Sequence, residues 1–265
     1  MADYKVQLKD YSMMYIDCER GHAQELSEYF SFYVPGYKFM PAYRNKVWDG
    51  KIRLYNSMTN ELNAGLFHYL RKFCSERGYT YEVEETDYGS PTDKNVLEQE
   101  SFNEFVKNAN LPFPLRDYQY DAVIRGLISN RAILLSPTGS GKSFIIYLIM
   151  KYWLEMVNEH DKVLIIVPTT SLVEQMYADF KDYNMDVEEL SHRIYSGRDK
   201  NTHKRVIIST WQSIYKFPKK WFEQFGMVIG DECHGFKSKS LSSIMNKSTE
   251  AKYRFGTTGT LDGTQ

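Results

Sequence analysis

The run Ser136-Pro-Thr-Gly-Ser-Gly-Lys-Ser143 puts two glycines, a lysine and a terminal hydroxyl inside eight positions. Glycines let a backbone turn tightly enough for its N–H groups to converge on phosphate oxygens. The run follows an apolar stretch over residues 131–136 and opens a helical pattern at Lys142. A helix N-terminus adds partial positive charge at that point. Thr138, Gly139, Ser140 and Gly141 are thus expected to cradle the phosphates of a nucleoside triphosphate, with Lys142 reaching the β- and γ-phosphates. The hydroxyl of Ser143 is the expected Mg²⁺ ligand. The general pattern begins with glycine, and here Ser136 holds that place.

Downstream, Asp231-Glu232-Cys233-His234 follows the apolar run 227–230. An isolated acidic pair is usually a solvated strand end. Behind an apolar strand and a phosphate loop, the pair can divide the work of hydrolysis. Asp231 then holds Mg²⁺, directly or through water, and Glu232 orients and activates the attacking water.

These residues act together only if the chain converges on them. Residues 131–136, 162–167, 205–209, 227–230 and 253–256 read as buried strands, and residues 142–158 and 171–183 as helices. Continuous apolar strands alternating with helices predict an α/β fold, with a parallel sheet covered by helices on both faces. Ligands of such sheets bind at the carboxyl ends of the strands, where the motifs fall. The polar segment 86–95 reads as a linker, dividing the chain into residues 1–90 and 91–265.

Residues 1–90 read as a small α+β domain. Short strands are expected over 13–17, 51–56 and 79–83, and helices over 20–32 and 66–77. The second helix would place Leu66, Tyr69, Leu70 and Phe73 on one face. Between Gly36 and Tyr79 eight basic residues stand against three acidic ones, with Tyr37, Phe39, Tyr43 and Trp48 interleaved. Basic groups neutralise phosphates and rings stack on exposed bases. Arg44, Lys46, Lys51, Arg53, Arg71 and Lys72 are therefore candidate nucleic-acid contacts, set against the plainer reading of a solvated face.

Composition sets the outer limits. The 265 residues are 42% hydrophobic, enough for one large and one small core. The formal net charge of -1 does not announce a nucleic-acid partner, so any such surface must be a local patch. Cys18, Cys74 and Cys233 form no C-x-x-C pair, which argues against a disulfide framework or a zinc site. The N-terminus lacks the apolar run of a signal peptide, and no stretch is long enough to span a bilayer. A cytoplasmic protein without a membrane partner is expected.

Taken together, the S-P-T-G-S-G-K-S loop and the D-E-C-H box resemble the superfamily 2 helicases of the DExH type. Leu115-Arg-Asp-Tyr-Gln119 resembles their Q-motif, which implies Gln119 on the adenine edge and either Arg116 or Tyr118 against the ring. Val167-Pro-Thr-Thr-Ser-Leu-Val-Glu-Gln175 resembles motif Ia, implying nucleic-acid contacts at Pro168 and Thr169. Ile208-Ser-Thr-Trp-Gln212 resembles a motif Ib-like segment, with Thr210 the implied phosphate contact. Thr257-Thr-Gly-Thr260 resembles motif III, implying that Thr258 and Thr260 couple the ATP site to the nucleic-acid track. By the same resemblance His234 is expected to relay between the ATP site and a second RecA-like lobe.

The resemblance spans about residues 111–262 and implies a RecA-like P-loop domain using ATP and Mg²⁺. Within the family it lies nearer RecG-like and type III restriction motors than D-E-A-D RNA helicases. Lys46-Val-Trp-Asp-Gly-Lys-Ile-Arg-Leu-Tyr55 is similar to a segment of phage recombination helicases, whose setting would be the host cytoplasm. The implied activity is ATP-dependent unwinding or remodelling of branched DNA in replication, recombination and repair. The implied partners are branched DNA or single-strand/duplex junctions, with RNA–DNA hybrids a further class. Three alternatives stand beside it: a duplex translocase that does not separate strands, a DNA-binding module, and a P-loop kinase or small GTPase. The D-E-C-H box and Gln119 argue against the last. Helicases of this type use a second RecA-like lobe that supplies an arginine finger. The chain stops five residues after Thr260, so a fragment that binds nucleotide weakly and hydrolyses it poorly is expected.

Overall fold

A computed structural model describes residues 2–137, 139–157, 162–195, 199–237 and 239–259. Internal contacts divide the chain into two units, Met1–Asp93 and Lys94–Gln265.

The first unit runs β1 (Tyr4–Leu8), β2 (Met13–Cys18), α1 (Arg20–Tyr29), β3 (Ser31–Tyr33), α2 (Pro41–Arg44), β4 (Lys51–Arg53), β5 (Glu61–Asn63), α3 (Phe67–Arg77) and β6 (Tyr81–Glu84). Alternation decides which face is buried. Tyr4, Val6 and Leu8 of β1 and Met14 and Ile16 of β2 point to one core. Ala23 and Leu26 of α1 and Leu70 and Phe73 of α3 join the same core. The sheet order is β5-β2-β1-β6, antiparallel except where β1 meets β6.

Two sequence expectations shift here. The helix expected over 20–32 stops at Tyr29, because the Ser31 hydroxyl donates to the Glu28 carbonyl at 2.7 Å and the chain turns into β3. Phe32 then pairs with Ile52 across β3 and β4. In α3 the buried face carries Phe67, Leu70, Phe73 and Cys74, while Tyr69 is 46% exposed. The stripe is thus rotated away from Tyr69.

The second unit runs α4 (Gln99–Asn108), α5 (Asp117–Ser129), β7 (Arg131–Leu135), α6 (Lys142–Tyr152), β8 (Lys162–Val167), α7 (Thr170–Asp182), β9 (Ser191–Ile194), β10 (Val206–Thr210), β11 (Phe225–Asp231) and β12 (Tyr253–Thr258). Six strands form one parallel sheet in the order β7-β12-β11-β8-β10-β9. Strand β8 shows why its sequence is apolar throughout. Val163, Ile165 and Val167 enter one core with α6, and Leu164 and Ile166 enter another with Phe222 and Phe225. Both faces are covered, as continuous apolar strands require. The α-helix from Lys142 ends at Tyr152 and continues as a π-helical turn, Trp153–Val157. Strands β1, β3, β5 and β9 are additional to those expected from the sequence. Among the described residues no helix is long and apolar enough to cross a membrane.

Candidate nucleotide site and nucleic-acid interface

The phosphate loop leaves the carboxyl end of β7. The Ser136 N–H donates to the Thr258 carbonyl at 2.9 Å, tying the start of the loop to β12. Ser136 is buried, and its hydroxyl bonds that of Ser140, which itself donates to the Pro137 carbonyl at 2.6 Å. The serine in the place of the usual glycine therefore braces the loop from within. Gly139 and Gly141 sit at φ of 81° and 80°, the left-handed region that favours glycine. A Cβ at Gly141 would also lie 2.6 Å from Gln119 Nε2. Thr138 and Thr260, both expected site residues, lie outside the described residues.

Lys142 opens α6, and its ammonium is paired with the carboxylate of Glu232 at the end of β11. The other Glu232 oxygen lies 3.3 Å from His234 Nδ1, which also shares a 3.1 Å hydrogen bond with Thr258 Oγ1. Asp231 is buried, and its Oδ1 accepts the Thr257 hydroxyl at 2.6 Å. Glu232 adopts a φ of 50°, where a non-glycine residue carries strain of about 1–3 kcal/mol. The Gly235 N–H holds the turn by donating to the Glu232 carbonyl at 3.1 Å.

Cys233 packs against Gly256 of β12. A Cβ on that glycine would lie 2.7 Å from the Cys233 Sγ, so only glycine lets the acidic box sit so close to β12. Burial pushes the Cys233 thiol up, the wrong direction for a nucleophile, and the side chain acts as filler.

A cleft of about 400 Å³ opens beside the loop, lined by Phe113, Arg116, Gln119, Gly141, Phe144 and Tyr183 among others. Gln119 is buried and hydrogen-bonded at both ends of its amide. Its Nε2 donates to the Ser140 carbonyl at 3.0 Å and its Oε1 accepts the Arg116 N–H at 3.1 Å. Of the two expected ring neighbours, Arg116 lines the cleft. Tyr118 instead donates its hydroxyl to the Ser140 carbonyl at 2.9 Å. Phe113 and Tyr183 were not expected from sequence. Phe113 has only its setting between two prolines to mark it, and its ring lies 4.8 Å from Phe144 and 5.8 Å from Tyr183. Tyr183 has no local signal, yet its hydroxyl shares a 2.8 Å bond with Ser143 Oγ, and burial raises its pKa.

This geometry suits a nucleotide: two left-handed glycines, a helix start, a lysine and a partly apolar cleft lie together. Both Mg²⁺ candidates hold protein partners, Ser143 on Tyr183 and Asp231 on Thr257. Among the described residues no group of three or more His, Cys, Asp or Glu gathers as a metal cluster. One carboxylate and one hydroxyl fit Mg²⁺, which keeps several waters and takes its other ligands from substrate phosphates.

The expected nucleic-acid residues differ in how they are presented. Thr169 is exposed and caps α7, its Oγ1 accepting the Leu172 N–H at 3.3 Å; Pro168 beside it is half-buried. Thr210 is buried, with its hydroxyl bonded to Ser213 Oγ at 2.8 Å. A small cleft of about 150 Å³ lined by Pro168, Trp211, Asp231 and Glu232 joins these loops to the carboxylates.

In the first unit, Arg44, Lys46 and Arg71 are exposed and make no ion pair among the described residues. Lys51 is held by Glu28 at 2.6 Å, and Lys72 lies 3.7 Å from Glu76. Arg53 bonds Asp49, holding that carboxyl down at about 2.

Residues 112–263 match the family described as "Type III restriction enzyme, res subunit". Residues 3–84 match the family described as "DNA helicase UvsW, N-terminal". The ATP-dependent DNA helicase uvsW of Enterobacteria phage T4 is 39% identical to this chain, over 98% of it and 52% of that protein. The DNA 3'-5' translocase XPB2 of Sulfurisphaera tokodaii is 29% identical, over 86% and 43%. The crystal structure of the UvsW helicase from bacteriophage T4 matches with a TM-score of 0.89 at 37% identity, over 98% of this chain and 93% of that one. The chain spans about half the length of the curated relatives it matches.

Proposed function

We propose, from the premise that this chain belongs to the superfamily 2 helicase family described as the type III restriction enzyme res subunit, that it is the ATP-binding part of a DNA motor that unwinds or remodels branched DNA. The observation that carries this reading is the linked set Lys142–Glu232–His234–Thr258 at the carboxyl edge of the sheet. It joins the phosphate-loop lysine, the water-activating carboxylate and the end of β12 in one network.

Lys142 would exchange Glu232 for the nucleotide phosphates, leaving Glu232 free to orient the attacking water. His234 and Thr258 would register that exchange at the end of β12. Ser143 and Asp231 would hold Mg²⁺, which neutralises charge on the phosphate oxygens. Gln119 and Arg116 would border the adenine, and Pro168 and Thr169 would meet the DNA backbone. Arg44, Lys46 and Arg71 would supply the grip of the first unit. ATP-dependent action on DNA agrees with the name of the phage T4 relative; a role in replication, recombination and repair, with RNA–DNA hybrids as a second substrate class, extends that reading.

The test is titration of the chain with a fluorescent ATP analogue, with and without Mg²⁺, and with labelled forked, duplex, single-stranded and hybrid substrates. Binding of nucleotide and DNA, with Lys142→Ala losing only the nucleotide, supports the reading. A chain indifferent to nucleotide sinks it. Similarity to a named translocase favours one other reading, movement on duplex DNA without strand separation. ATP consumption without displacement of a labelled strand would decide for that reading.

A further inference from the structure

Between β3 and β4, residues 34–50 leave the sheet and return as a braced excursion. The Val34 N–H donates to the Gly50 carbonyl at 2.9 Å and closes its base. Tyr33 and Tyr37 stack with ring centroids 4.6 Å apart, and Tyr43 meets the Tyr37 ring edge-on at 4.8 Å. The Trp48 Nε1 donates to the Lys51 carbonyl at 2.8 Å. Gly50 has a φ of 83°, and a Cβ there would lie 2.2 Å from the Tyr37 ring, so the ring rests directly on the backbone.

This stiff scaffold holds apolar groups in water. Phe39 is 85% exposed and Val47 81%. A cleft of about 500 Å³ is lined by Lys38, Tyr43, Arg44, Lys46, Val47 and Trp48 together with Asp49. Asp49 is neutralised by Arg53, whereas Arg44 and Lys46 have no carboxylate partner among the described residues. Exposed apolar groups on an ordered frame mark an interaction site. The occupant must be anionic and must offer flat apolar faces. A closed duplex presents phosphates but keeps its bases stacked inside; unpaired nucleotides present both.

We propose that the 34–50 excursion reads unpaired nucleotides beside a DNA branch. Bases lie against Tyr43, Trp48, Phe39 and Val47, and phosphates meet Lys38, Arg44 and Lys46. The proposal rests on the DNA-motor reading and adds to it the element that tells a branch from plain duplex.

The experiment compares anisotropy on a fork, a single strand and a blunt duplex, with 2-aminopurine at the first unpaired position of the fork. One variant is Phe39→Ser/Val47→Ser, two exposed positions whose change leaves the packing intact, as circular dichroism should verify. The other is Arg44→Glu/Lys46→Glu. The first variant is expected to lose about tenfold in affinity for fork and single strand, the scale of one stacked base, while duplex affinity holds and the 2-aminopurine response disappears. The second is expected to weaken all three.

An unchanged fork-to-duplex ratio in the serine variant overturns the proposal and leaves the motor reading standing. If both variants leave every DNA affinity unchanged, the excursion serves another partner, such as an acidic protein segment, and the proposal falls. If the unaltered chain binds nucleotide but none of the DNAs, the motor reading fails with it.

Discussion

In the parallel-sheet unit, Lys142, Glu232 and His234 answer one another inside a site built by strand ends, whereas in the smaller unit Arg44, Lys46 and Arg71 stand exposed without ion pairs. The first arrangement fixes geometry before a ligand arrives. The second keeps positive charge free, and a phosphate backbone bound there would release counterions. Lys51 and Arg53, though they lie in the same basic run, belong with the first kind, because Glu28 and Asp49 already hold them. Counting charges along the sequence therefore overstates the surface that is free to meet nucleic acid.

The largest effect is expected at Lys142. Lys142→Ala should weaken ATP-analogue binding on the order of a hundredfold, the loss of a charge-assisted phosphate contact. Near-normal titration curves would mean that the pre-paired site is not the nucleotide site. Next comes Gly256→Ala, which forces a Cβ against the Cys233 Sγ. Chemical denaturation should show a loss of about 1–3 kcal/mol. Cys233→Ala in the same chain should recover part of it, since the sulfur goes but the Cys233 Cβ stays 2.9 Å away. Additive losses would show that the contact between Gly256 and Cys233 is not the cause.

Smaller effects separate the free from the neutralised cations. Arg44→Ala should flatten the salt dependence of DNA binding by about one unit of slope, and Lys51→Ala should leave it nearly unchanged. Equal slopes for both would erase the distinction between the two kinds of charge. Smallest is Tyr183→Phe, which frees the Ser143 hydroxyl. Nucleotide affinity should rise by no more than about fivefold, the net value of one neutral hydrogen bond, and only with Mg²⁺ present. The same rise without the metal would place the effect in the base cleft instead.

Much of the sheet unit was legible because its signals are local. The run Lys162–Val167 is apolar at alternate and intervening positions alike, and it forms β8 with those bounds. The phosphate loop and the acidic box announce themselves by spacing. Gln119 was legible as a candidate, and it does line the cleft, but its partner, the Ser140 carbonyl, lies 21 positions away, and no periodicity reports such a contact. Tyr183 is 40 positions from Ser143 and enters the site only because α7 ends there. In the smaller unit, Glu28 lies 23 positions before Lys51, so the neutralisation of that lysine was invisible. The strand β1 alternates with period two but is only five residues long, and Tyr69 sits one step off the stripe that α3 buries.

The pairing of Lys142 with Glu232 has a further consequence for what the site will accept. An anion arriving there finds the lysine already satisfied, and it must offer more than the carboxylate it displaces. A monoanion would bring no more charge than that carboxylate, whereas a triphosphate would bring several times as much. On the proposed reading the resting site would act as a threshold set by charge, passed by the ligand whose arrival would also release the Glu232 carboxylate.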